Sequence, residues 1–353
     1  MSKNSNILNW ESYNDLSLVE KGNLISHLPH TLISQQFKRT QINELCRLAS
    51  KIRFICKTKE GAYYLKSILC DKRAMLYFAQ PSSRTYLSFN AACQILGLDT
   101  MDVRDSKTSS EIKGESPEDT VRTFSSYVDL IIMRHPEGGF AEKIALMLSN
   151  TNREIPVINA GSGADQHPTQ ALLDIYTLER SFECNKGIDN KIILFSGDLK
   201  RGRTVRSLAW LLTLYDNVKI IFSAPQELQI KSDILEMLDK AQLNYVVSEN
   251  FSEHLSEVDA IYMTRLQDEW DSDNDTNEID RKKFQIDSSH LKKMKKDAII
   301  MHPLPRREEI STSIDNSPQA MYWRQMRNGM WIRAALILKT FGRENYIYDW
   351  ENI

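Results

Sequence analysis

AMLYFAQPSSRTYLSFNAACQILG, residues 74 to 97, decides the fold: an apolar run, a short polar loop and an amphipathic stretch that ends on glycine. AMLYFA (74–79) reads as a buried strand. Leu87, Ala91 and Ile95 recur at helical spacing, and Gly97 supplies a C-terminal stop. This is one βα unit. Further apolar runs repeat the pattern: DLIIM (129–133), IPVIN (155–159), KIILFS (191–196), VKIIFS (218–223), YVVS (245–248), DAIYM (259–263) and DAIIM (297–301). Amphipathic stretches separate most of them, as in a parallel sheet covered by helices.

Eight strands in 353 residues exceed one small sheet. The expected fold is therefore α/β, with two domains, each a central parallel sheet flanked by helices, joined by interdomain helices. The expected boundaries are an N-terminal extension over 1–31, a first domain over 32–177, a second over 178–324, and a C-terminal helix within 325–353 that returns to the first. The helix from about Pro168 to Phe182 is the expected hinge. Ser116, Pro117 and Asp119 mark another helix start. Trp331, Ala334, Ala335, Leu336 and Leu338 are expected to bury the last helix. The extension carries Trp10, and its role is not legible.

The charge is nearly balanced, 45 Lys plus Arg against 47 Asp plus Glu, so neither nucleic acid nor an anionic membrane is an expected partner. Cys46, Cys56, Cys70, Cys93 and Cys184 are widely spaced and form no CxxC pair. With no apolar run of about 18 residues and no basic-then-apolar start, a soluble cytoplasmic protein with reduced thiols is expected. GSGADQ (161–166) has Gln166 where a dinucleotide fingerprint needs glycine, and DSDNDT (271–276) lacks the Gly and Glu of a calcium loop. No cofactor is expected.

The loops carry the chemistry. PSSRT follows a strand and opens a helix, so its backbone N–H groups suit an anion. Ser82, Ser83 and Thr85 add hydroxyls, and Arg84 a guanidinium fork; taken alone, the segment is equally an ordinary capped helix start. Arg134 ends a strand, where ligands of parallel sheets gather, and the adjacent His135 reads as structural. In QHPTQ, His167 and Gln170 share one face of a helix start and can reach one small group. An imidazole N–H can polarise a carbonyl while the amide accepts from an amine. Arg203 in GDLKRGRT (197–204) and Arg265 with Gln267 in MTRLQ (263–267) suit a dicarboxylate. In MHPLPRREE (301–309), Pro303 and Pro305 force an extended backbone whose carbonyl oxygens can accept from an amine or amide. No side-chain nucleophile stands out, which points to transfer chemistry run by positioning.

SSRT, TSSEIKGE, MRHPEGG, HPTQALLD, GDLKRGRT, MTRLQ and MHPLPR occur in the order and spacing of the aspartate carbamoyltransferase catalytic chains, which this sequence resembles from about residue 32 to 342. The resemblance implies carbamoyl phosphate bound by the first domain, L-aspartate by the second, a role in pyrimidine synthesis, and a homotrimer with shared sites. It leaves regulatory chains open as further partners. By the same resemblance Ser82, Ser83, Arg84 and Thr85 hold phosphate, Arg134, His167 and Gln170 engage the carbamoyl group, and Ser109 and Lys113 serve a neighbouring subunit's site. Arg203 holds the α-carboxylate of aspartate, Arg265 and Gln267 its side-chain carboxylate, and Pro303 and Leu304 contact the reacting amide. HPLP, where ornithine enzymes have HCLP, favours aspartate. Gln80 and Trp270 depart from the common Glu and Arg. They motivate an alternative: a weak or silent chain serving as scaffold or regulatory partner.

Overall fold

The computed structural model describes residues 9–104, 114–163, 166–266 and 284–352. The chain divides into two compact units, the first comprising the residues up to Thr169 and those from Gly329 onward, the second Gln170–Asn328. One division thus falls in the first turn of the helix Pro168–Ser181 and the other within the helix Tyr322–Thr340, against the expected 177/178 and 324/325.

The first unit holds four parallel strands, β1 (Arg73–Phe78), β2 (Asp99–Val103), β3 (Leu130–His135) and β4 (Val157–Ser162), in the order β2-β1-β3-β4. β3 and β4 are buried along their whole length, which is why they read as apolar runs. β2 was not expected. Its sequence, DTMDV, lies at the sheet edge with no fully buried residue, so nothing demanded an apolar run.

The helix Ser83–Leu96 follows β1 and ends at Gly97 in the left-handed conformation, as expected. Its buried face differs from the expected one: Thr85, Tyr86, Phe89, Ala92, Cys93 and Leu96 face inward, while Leu87 is 61% exposed. Two apolar stripes run along this helix, and only packing selects between them. Ser116 caps the helix Pro117–Phe124, its hydroxyl accepting from Asp119 N at 3.1 Å.

From Trp10 to Thr31 the supposed extension belongs to the first unit's core. Tyr13 and Ile25 are fully buried, Trp10 packs against the same cluster, and Thr31 forms a parallel bridge to Ile158 of β4. Thr31 N donates to Val157 O at 2.9 Å and Asn159 N to Thr31 O at 2.7 Å. At the other end of the chain, Trp331, Ala334, Ala335, Leu336 and Leu338 are buried as expected. Arg333 Nη1 donates to Ser88 Oγ at 2.7 Å, which ties the last helix to this unit.

The second unit holds five parallel strands, β5 (Ile192–Ser196), β6 (Lys219–Ser223), β7 (Asn244–Ser248), β8 (Ala260–Met263) and β9 (Ile299–Met301), in the order β7-β6-β5-β8-β9. In both sheets the order reverses beside the first strand of the unit, between β1 and β3 and between β5 and β8. Ligands of open parallel sheets bind at that reversal, outside the carboxyl ends of the strands.

Among the described residues no helix is long and apolar enough to cross a membrane, and no cluster of three His, Cys, Asp or Glu could hold a metal. The five cysteines are free thiols.

Candidate active site

In the first unit the expected residues gather at the carboxyl ends of β1, β3 and β4, which are neighbours in the sheet. After β1, Gln80 N donates to Arg134 O at 3.2 Å, which fixes where the PSSRT loop leaves the sheet. Ser82 is the N-cap of the helix Ser83–Leu96, and its side chain makes no cap bond. The first-turn N–H groups have no intrahelical acceptors, and they lie at the positive end of the helix dipole. Ser83 and Arg84 are exposed, Ser82 is half-buried and Thr85 buried. This is the arrangement of an anion site.

Arg134 is buried at the end of β3, and its Nη1 donates to Ala160 O at 3.3 Å. Gly161, at φ +117°, makes room for it: a Cβ there would lie 2.5 Å from Arg134 Nη1 and 3.3 Å from His167 Cδ2. The guanidinium and the imidazole therefore rest against the same backbone position. Asn159 holds that position, its Oδ1 accepting from Gly161 N at 2.8 Å while its Nδ2 donates to Leu32 O at 2.9 Å and Ser162 Oγ at 3.2 Å. His135 stacks on Phe140 at 3.9 Å between centroids, and its Nδ1 accepts from Glu137 N. Burial pushes its pKa down to about 4, so the ring is neutral and structural, as expected.

Gln170 lies one turn beyond His167 and is buried. Its Nε2 donates at 3.0 Å to Asp174, a fully buried carboxylate four residues on that also accepts from Tyr262 Oη at 2.7 Å. Burial, then the Asp174 charge, hold the Tyr262 phenol well above its ordinary pKa.

In the second unit Arg203, Arg265 and the Pro303–Leu304 backbone follow β5, β8 and β9, again three neighbouring strands. Arg203 opens the helix Arg203–Leu212, seven residues beyond the end of β5, and Arg201 Nη1 donates to buried Asp198 Oδ2 at 3.4 Å. Thr264 N donates to Ser196 O at 2.8 Å, locking the two loops side by side. A Cβ on Gly197, at φ +103°, would stand 1.9 Å from Thr264 O, so only glycine permits this approach. Arg265 Nη1 donates to Leu266 O at 2.9 Å.

The MHPLPRREE loop is built around His302. Its Nδ1 accepts from Leu304 N at 2.8 Å, which leaves Nε2–H to donate to Glu309 Oε1 at 2.8 Å. Burial lowers the His302 pKa. Burial alone would raise Glu309, but hydrogen bonds from His302 and Arg307 N hold it below its ordinary value. Leu304 takes φ +54°, a conformation unusual for leucine that this pair of hydrogen bonds supports, and the Leu304–Pro305 bond is cis.

Ser109, Lys113, Gln267 and Trp270 lie outside the described residues. Asn159, Gly161, Asp174, Gln325 and Glu309 escaped the sequence reading. Asp174 was within reach, since its spacing from Gln170 is one helical turn. Gln325 was not, because nothing local marks a partner 151 residues from Asp174.

The description "Aspartate/ornithine carbamoyltransferase, carbamoyl-P binding domain" matches residues 30–180, and its counterpart "Asp/Orn binding domain" matches residues 189–340. The chain belongs to the aspartate/ornithine carbamoyltransferase family. A relative in this family, aspartate carbamoyltransferase (chloroplastic) of Oryza sativa subsp. japonica, is 40% identical over 86% of this chain and 82% of its own length. Among solved structures, the catalytic subunit of Methanocaldococcus jannaschii aspartate transcarbamoylase superposes with a TM-score of 0.77 at 34% identity, covering 92% of this chain and all of that one. The Trypanosoma cruzi enzyme solved with carbamoyl phosphate and aspartate gives a TM-score of 0.78 at 35% identity, over 87% of this chain and 95% of that one. The two-domain α/β carbamoyltransferase fold expected from the sequence is therefore the fold of this chain.

Proposed function

We propose that the chain transfers the carbamoyl group of carbamoyl phosphate to the amino group of L-aspartate, giving N-carbamoyl-L-aspartate and phosphate, a step of pyrimidine synthesis. The observation that carries this reading is the packing of Arg134 and His167 on Gly161 at the sheet edge where the Ser82–Thr85 helix start presents its N–H groups. A phosphate on that helix start sets its carbamoyl carbon beside a guanidinium and an imidazole. The similarity to aspartate carbamoyltransferases, rather than a silent function, supports an active enzyme.

In this reading the uncharged amine of aspartate attacks the carbamoyl carbon. The tetrahedral oxygen gains charge that Arg134, His167 and Thr85 stabilise, the C–O bond to phosphate breaks, and the departing phosphate takes the amine proton. No side-chain base is needed, so catalysis rests on orientation and preorganised charge. Gln170 and the carbonyls of Pro303 and Leu304 hold the amide, while Arg203, Arg265 and Gln267 hold the carboxylates. The assembly is a cytoplasmic homotrimer in which Ser109 and Lys113 complete a neighbour's site. Mixing chains mutated at Arg84 with chains mutated at Lys113 tests that assignment, since only shared sites regain activity.

The decisive assay supplies the purified chain with carbamoyl phosphate and either L-aspartate or L-ornithine. Carbamoyl-aspartate alone is the expected product. A folded chain that binds phosphate yet carbamoylates neither amine refutes the proposal.

A further inference from the structure

We infer that Asp174 and Gln325 are positioning residues that fasten the Gln170 side chain and the Pro303–Leu304 backbone into one rigid amide-recognition element. The inference rests on the assignment of Gln170, Pro303 and Leu304 to the carbamoyl amide. Asp174 Oδ1 accepts from Gln170 Nε2 at 3.0 Å and from Gln325 Nε2 at 2.7 Å, and Oδ2 accepts from Tyr262 Oη at 2.7 Å. Gln325 Oε1 in turn accepts from His302 N at 2.8 Å, and His302 Nδ1 accepts from Leu304 N. Asp174, Gln325 and His302 are fully buried.

The chemistry of the partners leaves each amide one orientation. A carboxylate only accepts, so both glutamines must turn their NH2 groups toward Asp174; a backbone N–H only donates, so Gln325 must turn its oxygen to His302. Gln170 therefore has its NH2 committed and its carbonyl oxygen available to accept from the substrate amide. The same carboxylate, through Gln325, sets the position of the loop whose carbonyls accept from that amide. In a low-dielectric interior such a network holds one geometry, because either glutamine turned round sets its amide oxygen against the Asp174 carboxylate, acceptor against acceptor.

Asp174→Asn is the direct test. It keeps the shape but replaces one acceptor oxygen with an NH2 group, which then faces either the two glutamine NH2 groups or the Tyr262 hydroxyl. The expected result is a fall in kcat of about 100-fold, the cost of misplacing reacting groups by roughly 1 Å, with the inhibition constant of inorganic phosphate unchanged. In the cycle with Gln170→Ala, the double variant should be no slower than the worse single variant, because Asp174 acts through Gln170. Gln325→Met, which preserves volume and removes only the amide, should also lower kcat and gives the readout if Asp174→Asn does not fold. Losses that multiply in the cycle, or kcat within threefold of the parent in a folded Asp174→Asn or Gln325→Met variant, overturn the inference. An inactive parent chain would instead overturn the proposed function itself.

Discussion

Replacing Gly161 with alanine puts a methyl group where Arg134 and His167 leave no room. The added Cβ stands 2.5 Å from Arg134 Nη1, and ordinary contact begins at 3.4 Å, so the guanidinium must retreat by about 0.9 Å, the difference of the two. Because that atom is the far end of a long side chain, the clash itself is relieved at little cost in stability. The φ of +117° adds about 1–3 kcal/mol of backbone strain in a residue with a Cβ. Activity suffers more. Displacing a charge-stabilising group by about 1 Å costs on the order of 100-fold in rate, or about 2.7 kcal/mol of barrier. Steady-state carbamoyl-aspartate formation at saturating substrates reads the rate, and thermal unfolding shows whether the variant is folded at the assay temperature. A folded Gly161→Ala variant with kcat within threefold of the parent would mean that the guanidinium does not work from the place it occupies, and the argument for Arg134 would fail.

Asn159→Asp removes both side-chain donors, to Leu32 O and Ser162 Oγ, and should lower stability by about 1–3 kcal/mol in urea unfolding; a loss under about 0.5 kcal/mol refutes its role. Gln80 Oε1 is buried without a hydrogen-bond partner among the described residues, and Gln80→Glu, restoring the residue common in the family, should raise turnover or lower the KM for aspartate. Unchanged kinetics would remove any role for this position. His30 and His135 are both held neutral by burial, each with a pKa near 4 against about 6.5 unfolded. As pH falls from 6.5 to 4 the unfolded chain gains protons there that the folded chain refuses, so stability present above pH 6.5 is lost at about 1.4 kcal/mol per unit for each histidine. His135→Gln should flatten the pH dependence of the unfolding free energy in that window, and an unaltered slope contradicts the assignment.

The strands and the site were legible in the sequence to different depths. Every apolar run read as a strand is one, with ends displaced by at most three residues; except for the edge strand β7, they are largely buried, and a parallel strand covered on both faces must be apolar throughout. β2 shows the converse: an edge strand held by backbone pairing to β1 needs no apolar run and left none to read. The residues of the PSSRT, QHPTQ and HPLP loops were legible because backbone geometry and side-chain chemistry act within a few positions. Ser109 and Lys113 rest on resemblance alone.

By itself, then, the sequence determined the βα alternation, the loops proposed for phosphate and carbonyl chemistry, and the family. Those follow from local periodicity and from side-chain types at short spacing. Only the tertiary structure decided which of two apolar stripes on the helix Ser83–Leu96 faces inward, that residues 10–31 belong to the first unit's core, and that Gly161 is the seat of Arg134 and His167. It alone showed that Asp174 joins Gln170 to Gln325 across 151 residues of chain. The physical reason is the same in each case. These choices are made by which surfaces exclude water together and which buried polar groups must find one another, and neither is recorded in the order of neighbouring residues.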